Sequence, residues 1–277
     1  ILVMKNNFPY LISKNFNVDR VDELKQEFIN SKPFNHVVID NFLPIEHANF
    51  FYDNFPKPNH PIWLDWKIRS KFQYGKQGIG NNENFDLLDP NYRFALNELN
   101  SSFFLTFLEK ITGIEKLLPD PYFSGGGLHQ ILNGGILDIH TDFNDYQKLQ
   151  TYRQLNVLIY LTKDYKKDFG GELELWDKSP KNKGECFKKI EPTFNRCVIF
   201  KTDKTSWHGH PNEWRGSDMK TRKSIAMYYY TSKPFSGFRY DGLTDFQDYV
   251  SKEPQKHNST STENKFKFFK NILKKWK

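Results

Sequence analysis

Cysteine is scarce in this chain, which contains only Cys186 and Cys197 among 277 residues. Structural zinc sites usually close around four ligands that include cysteine, and small secreted scaffolds depend on several disulfides. Two cysteines are too few for a disulfide scaffold, and they do not predict a closed structural zinc site. The two thiols flank a predicted hairpin and could form a cross-strand bridge, but we expect two reduced thiols in a cytoplasmic protein.

Long hydrophobic runs are also missing. No stretch approaches the ~20 apolar residues that cross a bilayer. The segment Ile1-Leu2-Val3-Met4-Lys5 becomes polar too soon for a secretory signal. We therefore expect no membrane-spanning segment and a cytoplasmic location.

Excess positive charge is confined to one end of the chain, although the net charge is +7. Residues 251–277 hold eight lysines and two glutamates, which accounts for six of these charges and leaves the body nearly neutral. A near-neutral body argues against nucleic acid as a partner. Such a tail could instead touch a membrane surface, its own domain or a second copy. It predicts a basic amphipathic helix, whose apolar face is formed by Phe269, Ile272, Leu273 and Trp276.

The chain is long enough for one large domain or two small ones, and its aromatic content of 17% suits a strand-rich core. Between residues 117 and 230, short β-branched and aromatic runs alternate with turn clusters, which predicts a sandwich or jelly roll. We predict a single domain over residues 1–250. Its helices and strands in residues 1–116 support a core in residues 117–240, and the tail of residues 251–277 follows.

Three N-terminal elements can be placed from sequence. An amphipathic helix is predicted from Val18 to Asn30, and a strand from Phe34 leads into a helix that begins at Pro44. Asp89-Pro90 opens a long helix that ends at Gly113. Its predicted apolar face, which backs a sheet, consists of Ala95, Leu99, Phe103 and Phe107.

Residues 60–84 show no sustained hydrophobic period. Long loops of this kind in compact domains are usually functional or mobile. We expect either a lid over an active site or a surface loop with half-buried aromatic residues. The side chains concerned are Trp63, Trp66, Arg69, Phe72 and Tyr74.

Two glycine pairs, Gly134-Gly135 and Gly170-Gly171, predict tight turns. The segment that follows the second pair, Leu173-Glu174-Leu175-Trp176, alternates apolar and acidic residues, as a strand with one buried face does. We expect its glutamates to face solvent and to take no part in catalysis.

A candidate metal site begins at Ile139-His140-Thr141-Asp142-Phe143. On a strand, residues two apart point to the same face, so His140 and Asp142 project together. His208 follows an apolar run that predicts a buried strand, and a turn after that strand can hold it opposite the pair. Two imidazoles and one carboxylate suit Fe(II) and leave positions open for substrate and dioxygen. An isolated H-x-D is nevertheless common by chance.

A candidate carboxylate-binding strand begins fourteen residues after His208, at Arg222. By the period of two, Arg222 and Ser224 share a face. A guanidinium binds a carboxylate through two hydrogen bonds, and a neighbouring hydroxyl can add another. Taken alone, Arg222 is better explained as a surface arginine on a strand.

Together these segments resemble the Fe(II)- and 2-oxoglutarate-dependent oxygenases of the prolyl-hydroxylase-like group. The resemblance covers somewhat over a third of the chain, and its order and spacing make chance agreement improbable. It rests on Gly125-Gly126-Gly127-Leu128-His129-Gln130, Gly134-Gly135, His140-Thr141-Asp142-Phe143-Asn144, Leu155-Asn156-Val157-Leu158-Ile159-Tyr160-Leu161, Gly170-Gly171-Glu172-Leu173-Glu174-Leu175-Trp176, Asn195-Arg196-Cys197-Val198-Ile199-Phe200, His208-Gly209-His210-Pro211 and Arg222-Lys223-Ser224.

The resemblance implies that His140, Asp142 and His208 bind the iron as catalytic metal ligands. His210 is the rival for the third position, because the family's histidine is followed within a few residues by proline and Pro211 follows both. The H-x-H-P turn favours His208. His129 is expected to be hydrogen-bonded and not a ligand.

The resemblance also implies a cosubstrate site. Arg222 would pair with the distal carboxylate of 2-oxoglutarate, assisted by Ser224 and by the hydroxyl of Tyr160. Gln130 lies where some relatives have a tyrosine near the iron-bound end of the cosubstrate, so its assignment departs from the family pattern.

The implied fold is mainly β with flanking helices (α+β), built on a double-stranded β-helix, the cupin-like jelly roll. The implied reaction is hydroxylation of an unactivated C–H bond with release of succinate and CO2. It would require Fe(II), 2-oxoglutarate and O2, with ascorbate as a further candidate cofactor.

The substrate stays open at this point. A prolyl residue in a protein or peptide is the first expectation, and a small metabolite or sugar moiety is the alternative. The nucleic-acid demethylases of the same class carry a second arginine where this chain has Tyr228. A cupin-like metal-binding protein without turnover is the alternative from another class. The sequence gives no oligomeric state.

Overall fold

The computed structural model describes residues 18–65, 72–79, 84–217, 220–239 and 243–247. Two side chains of the expected lid, Trp66 and Arg69, and the basic tail of residues 251–277 lie outside the described residues. Among the described residues, no helix combines the length and apolar content that crossing a bilayer requires.

The part of the chain that the structure describes contains four α-helices and thirteen strands. The helices are α1 (Val18–Asn30), α2 (Ile45–Asp53), α3 (Pro90–Glu98) and α4 (Ser102–Thr112). The strands are β1 (His36–Ile39), β2 (Leu64–Asp65), β3 (Gln73–Gly78), β4 (Leu118–Pro119), β5 (Gly127–Thr141), β6 (Asp145–Tyr146), β7 (Thr151–Tyr160), β8 (Leu173–Trp176), β9 (Cys186–Ile190), β10 (Cys197–Lys201), β11 (His208–His210), β12 (Arg222–Thr231) and β13 (Asp245–Phe246).

The strands form one curled antiparallel sheet, so the chain is mainly β with flanking helices, as expected. The main path runs β1-β10-β7-β12-β5-β11-β8-β9, and β3 and β13 add to β5. Because the sheet curls, strands β5, β7, β11 and β12 turn side chains toward a shared interior. The principal hydrophobic cluster joins the helices to the sheet and includes Leu24, Phe28, Val157, Ile159 and Ile199.

The first two predicted helices are confirmed. Helix α1 spans Val18–Asn30 and buries Leu24 and Phe28, four residues apart, as an amphipathic helix should. Strand β1 leads to Pro44, which precedes α2.

The single long helix predicted from Asp89 to Gly113 is wrong. The segment forms α3 and α4, and the side chain of Ser101 caps α4 by accepting a hydrogen bond from the backbone N–H of Phe104 at 3.3 Å. Serine at this position competes with the intrahelical hydrogen bonds, so the first helix stops and a second begins. Phe103, expected on the buried face, is 54% exposed. The predicted end is confirmed, because Gly113 adopts φ +70° after α4.

Gly134-Gly135 does not form a separate turn but lies inside β5. A Cβ at Gly135 would lie 2.4 Å from the Cγ2 atom of Ile131, so no larger residue fits there. The pairing of β5 with β3 shifts register opposite this point, between Tyr74 and Lys76. The glycines therefore permit an irregularity in β5.

The structure contains no cross-strand bridge between the two cysteines. Cys186 and Cys197 are both free, and Cys197 is buried in β10.

Candidate metal centre and cosubstrate pocket

A cavity of about 390 Å³ opens inside the curled sheet. Five of the predicted site residues line it, and so do several other polar residues. The predicted residues are His140, Asp142, His208, Arg222 and Ser224, and the others are Lys76, His129, Arg153, Asn156, His210 and Tyr228.

His140, Asp142 and His208 converge in this cavity. One ligand atom from each lies within 4.8 Å of the others. The Nε2 atom of His140 is 3.7 Å from Oδ1 of Asp142, and Nε2 of His208 is 3.4 Å from Oδ2. Antiparallel pairing of β11 with β5 sets His208 directly opposite His140, which explains how residues far apart in sequence meet.

Both imidazoles are held with Nε2 toward the centre. The Nδ1–H of His140 donates to the carbonyl oxygen of Asp138 at 2.7 Å, and the Nδ1–H of His208 donates to that of Ser206 at 2.8 Å. A hydrogen bond at one ring nitrogen fixes the tautomer and leaves the other nitrogen free to bind a metal.

Arg153 and Asn156 orient the carboxylate of Asp142. The side-chain amide of Asn156 donates to Oδ2 at 2.7 Å, and Nη2 of Arg153 lies 3.1 Å from the same oxygen. Arg153 also donates to Oδ1 of Asn156 through Nε at 2.8 Å and Nη2 at 2.6 Å. The guanidinium lies 3.4 Å from the ring centroid of Tyr228.

The protonation states suit metal binding. Burial and the neighbouring His208 lower the pKa of His140 to about 3, so the imidazole is neutral. Burial alone would raise the pKa of Asp142, but Arg153 and the two histidines hold it well below its usual value. A neutral imidazole and an ionised carboxylate are the forms of these groups that bind Fe(II).

A second polar group forms around Arg222. Its Nε donates to the carbonyl oxygen of Gly171 at 2.6 Å, and its Nη2 donates to the hydroxyl of Tyr160 at 3.3 Å. Ser224 pairs with Tyr160 across β12 and β7. Gly171 adopts φ +71°, and a Cβ there would lie 3.0 Å from Cδ of Arg222, so glycine allows the arginine to pack against this backbone.

Residues 126–230 match the sequence model of the 2OG-Fe(II) oxygenase superfamily. The matched stretch contains His140, Asp142, His208 and Arg222.

Solved structures share the fold of this chain. A prolyl hydroxylase from Trichoplax adhaerens, in complex with a hypoxia inducible factor oxygen degradation domain peptide fragment, is 18% identical with a TM-score of 0.51, over 78% of this chain and 93% of its own. HygX from Streptomyces hygroscopicus, with nickel and 2-oxoglutarate bound, is 9% identical with a TM-score of 0.50, over 84% of this chain and 97% of its own. The expected jelly roll is confirmed.

His210 lies in the cavity but outside the group of converging ligand atoms. Its ring is buried, and neither ring nitrogen has a hydrogen-bond partner within the described ranges. Burial, reinforced by Arg222, lowers the pKa of His210 well below its usual value, so its imidazole is neutral. His129 also lies outside that group, which agrees with the expectation that it is not a ligand.

Gln130 does not line the cavity. Its side chain donates to Oε1 of Gln77 at 2.8 Å and accepts from the hydroxyl of Thr221 at 2.7 Å. On β5 the cavity-lining neighbours are His129 and Ile131, so Gln130 points to the opposite face. The side chain of Gln130 therefore connects β5 with β3 and with the residue that precedes β12, and it lies outside the cavity.

Glu174 does not face solvent as expected, because only 3% of it is exposed. Its carboxylate accepts hydrogen bonds from the indole of Trp176 at 3.0 Å and the amide of Asn212 at 2.9 Å, and Lys189 lies 2.8 Å away. Strand β8 has β11 on one side and β9 on the other, and both its faces are covered. Glu174 is therefore a partnered structural carboxylate.

Residues 60–84 are not one loop, because Gln73–Gly78 forms β3 against β5. The ring of Phe72 stacks on Phe246 at 5.4 Å, and Phe246 lies 4.9 Å from the ring of His140. Trp63 instead stacks on Phe55 at 5.7 Å and is buried. Of the expected lid side chains in the described ranges, Phe72 thus packs next to the site through one intermediate ring.

Proposed function

We propose that this protein is an Fe(II)- and 2-oxoglutarate-dependent dioxygenase that hydroxylates an unactivated C–H bond. The observation that carries the proposal is the convergence of His140, Asp142 and His208 within 4.8 Å in a cavity that Arg222 also lines. A prolyl residue in a protein or peptide is the substrate we propose first. Prolyl hydroxylases share the fold, and the sequence resemblance points to the same group.

The donor set fits Fe(II). His140 and His208 would bind the metal through Nε2 and Asp142 through a carboxylate oxygen, leaving positions free for other ligands. When bound, Fe(II) and 2-oxoglutarate supply the oxidative chemistry that converts dioxygen, the cosubstrate and a C–H bond into succinate, CO2 and an alcohol.

The residues of the chain bind and orient the reactants. Arg222 would pair with the distal carboxylate of 2-oxoglutarate, with the hydroxyls of Tyr160 and Ser224 beside it. Burial raises the pKa of Tyr160 even though Arg222 opposes the shift. The phenol therefore stays protonated, and its O–H group can donate a hydrogen bond. Leu158 and Phe200 line the same cavity and limit the access of water.

We also propose that residues 1–250 form one catalytic domain, with the jelly roll in residues 117–240 and an appended basic tail in residues 251–277. Its charge distribution supports the separation, because the tail holds most of the net charge of the chain.

Succinate release tests the function. The protein supplied with Fe(II), 2-oxoglutarate and air should release succinate, and proline-containing peptides should stimulate the release more than free amino acids do. His140→Ala and Asp142→Ala should abolish release because each removes a ligand, whereas Asp164→Ala, at a carboxylate that is 84% exposed, should retain it. Full activity in either ligand variant would refute the assignment. Greater stimulation by free amino acids would shift the substrate to a small molecule.

A further inference from the structure

Lys76 lines the cavity from β3, a strand in the segment that was predicted to be a loop. On β3, Lys76 lies opposite Ile131 of β5, and Arg222 of β12 lies opposite Ile131 on its other side. Lys76 and Arg222 both line the cavity, so two cationic side chains flank one position of β5. The register shift between Tyr74 and Lys76 lets Gln73 and Lys76, three residues apart, face the same interior.

The three cations of the cavity differ in their partners. Arg153 forms an ion pair with Asp142 at 3.1 Å, and Arg222 donates to Gly171 and Tyr160. Across the described ranges, the side chain of Lys76 forms neither a hydrogen bond nor an ion pair. Asp142 is the one carboxylate among the described cavity residues, and Arg153 and Asn156 already bind it. An ammonium group turned into a cavity without a counter-ion favours an anionic ligand.

The sum of charges in the site with Fe(II) and 2-oxoglutarate bound also favours an anionic ligand. The two charges of Fe(II) offset those of the 2-oxoglutarate dianion, and Asp142 offsets Arg153. The positive charges of Arg222 and Lys76 then remain uncompensated. A neutral substrate would leave this excess in a confined site, whereas an oxyanion would reduce it.

We propose that Lys76 binds an oxyanion of the substrate, a carboxylate or a phosphate, and that the enzyme acts on acidic substrates. The proposal rests on the proposed function. It narrows the substrate to molecules in which the reacting C–H bond lies near a negatively charged group, such as an acidic side chain next to the hydroxylated residue of a peptide. Lys76 then selects the substrate, and Arg222 holds the cosubstrate.

The test is anion binding to the full chain loaded anaerobically with Fe(II) and saturating 2-oxoglutarate, which occupies Arg222. Sodium acetate and inorganic phosphate are titrated separately by calorimetry. At least one should bind saturably, and Lys76→Met should weaken this binding about tenfold or more because it removes the charge. Lys76→Arg should remain within about threefold of wild type. The control Lys178→Met, at a side chain that is 64% exposed, should leave binding unchanged. Whichever anion binds more tightly identifies the group as carboxylate or phosphate.

Three results would overturn the proposal: no saturable binding of either anion, equal binding by wild type and Lys76→Met, or a loss of 2-oxoglutarate affinity in Lys76→Met as large as that in Arg222→Met. The last result would assign Lys76 to the cosubstrate. Failure of the proposed function is seen separately, as the absence in wild type of the visible charge-transfer band that Fe(II) forms with chelated 2-oxoglutarate. The same anion titration on metal-free protein would then test Lys76 alone.

Discussion

Asp142 shows how much of the proposed metal centre lies outside its ligands. Its Oδ2 atom accepts from Asn156 and lies beside Arg153, while Oδ1 faces His140. The carboxylate is thereby fixed before any metal binds, and its pKa is held low by Arg153 against the effect of burial. Groups that orient a ligand usually contribute substantially to metal affinity.

Replacement of Arg153 should therefore weaken metal binding although Arg153 is not a ligand. We expect Arg153→Met to lower Fe(II) affinity by about 10- to 100-fold. Arg153→Lys keeps the charge but loses the planar pair of donors and should fall between this variant and wild type. Anaerobic calorimetry with Fe(II) measures the effect. An unchanged Fe(II) affinity in a folded Arg153→Met variant would show that the orientation of the Asp142 carboxylate does not depend on Arg153.

His208 and His210, both on β11, should differ in their effect on Fe(II) affinity in the same measurement. His208→Ala should lower Fe(II) affinity by about 100-fold or more because it removes a ligand. His210→Ala should change it by less than about threefold, because His210 lies outside the converging group. The reverse order would identify His210 as the ligand and contradict the geometry.

At the level of strands, the period of two identified some site residues and missed others. It paired His140 with Asp142 and Arg222 with Ser224, and all four side chains line the cavity. The period fails at irregularities, such as the register shift in the pairing of β7 with β12 between Tyr229 and Tyr230. Such a shift lets residues three apart share a face, as Arg153 and Asn156 do.

No local signal in the sequence marks the register shift between β7 and β12, and the glycines beside the shift between β3 and β5 do not show which way Lys76 faces. Lys76, Arg153 and Asn156 could therefore not be assigned to the site in advance. The jelly roll itself could be predicted from the sequence, because strand length, turn residues and family motifs agreed. Helix α1 and the start of α2 were also predicted correctly, because each combines a hydrophobic period with a clear boundary.

The break between α3 and α4 was missed because the apolar period continues through it while Ser101 caps the second helix. Ser101→Ala should lower the free energy of unfolding by about 1 kcal/mol, since it removes an N-cap side chain. Ser102→Ala, one residue further on and exposed, is the matched control and should change stability by less than about 0.5 kcal/mol. Urea unfolding measures both, and equal effects would argue against the cap.

For the whole molecule, the distribution of charge matters more than its total. The body of the chain is nearly neutral, yet its cavity carries three cationic side chains and one carboxylate among the described residues. The basic tail adds its charge elsewhere in the sequence, so overall charge says little about the active site. A cavity of this composition suits a dianionic cosubstrate bound beside a divalent metal.

The central claim is that one cavity binds Fe(II) and 2-oxoglutarate together, and an anaerobic visible spectrum tests it most directly. Wild type should develop a charge-transfer band on addition of both. Asp142→Ala should give none, and Arg222→Met should require about tenfold or more 2-oxoglutarate to reach it. A wild-type protein that shows no band, or an Arg222→Met variant with unchanged 2-oxoglutarate affinity, would contradict the account.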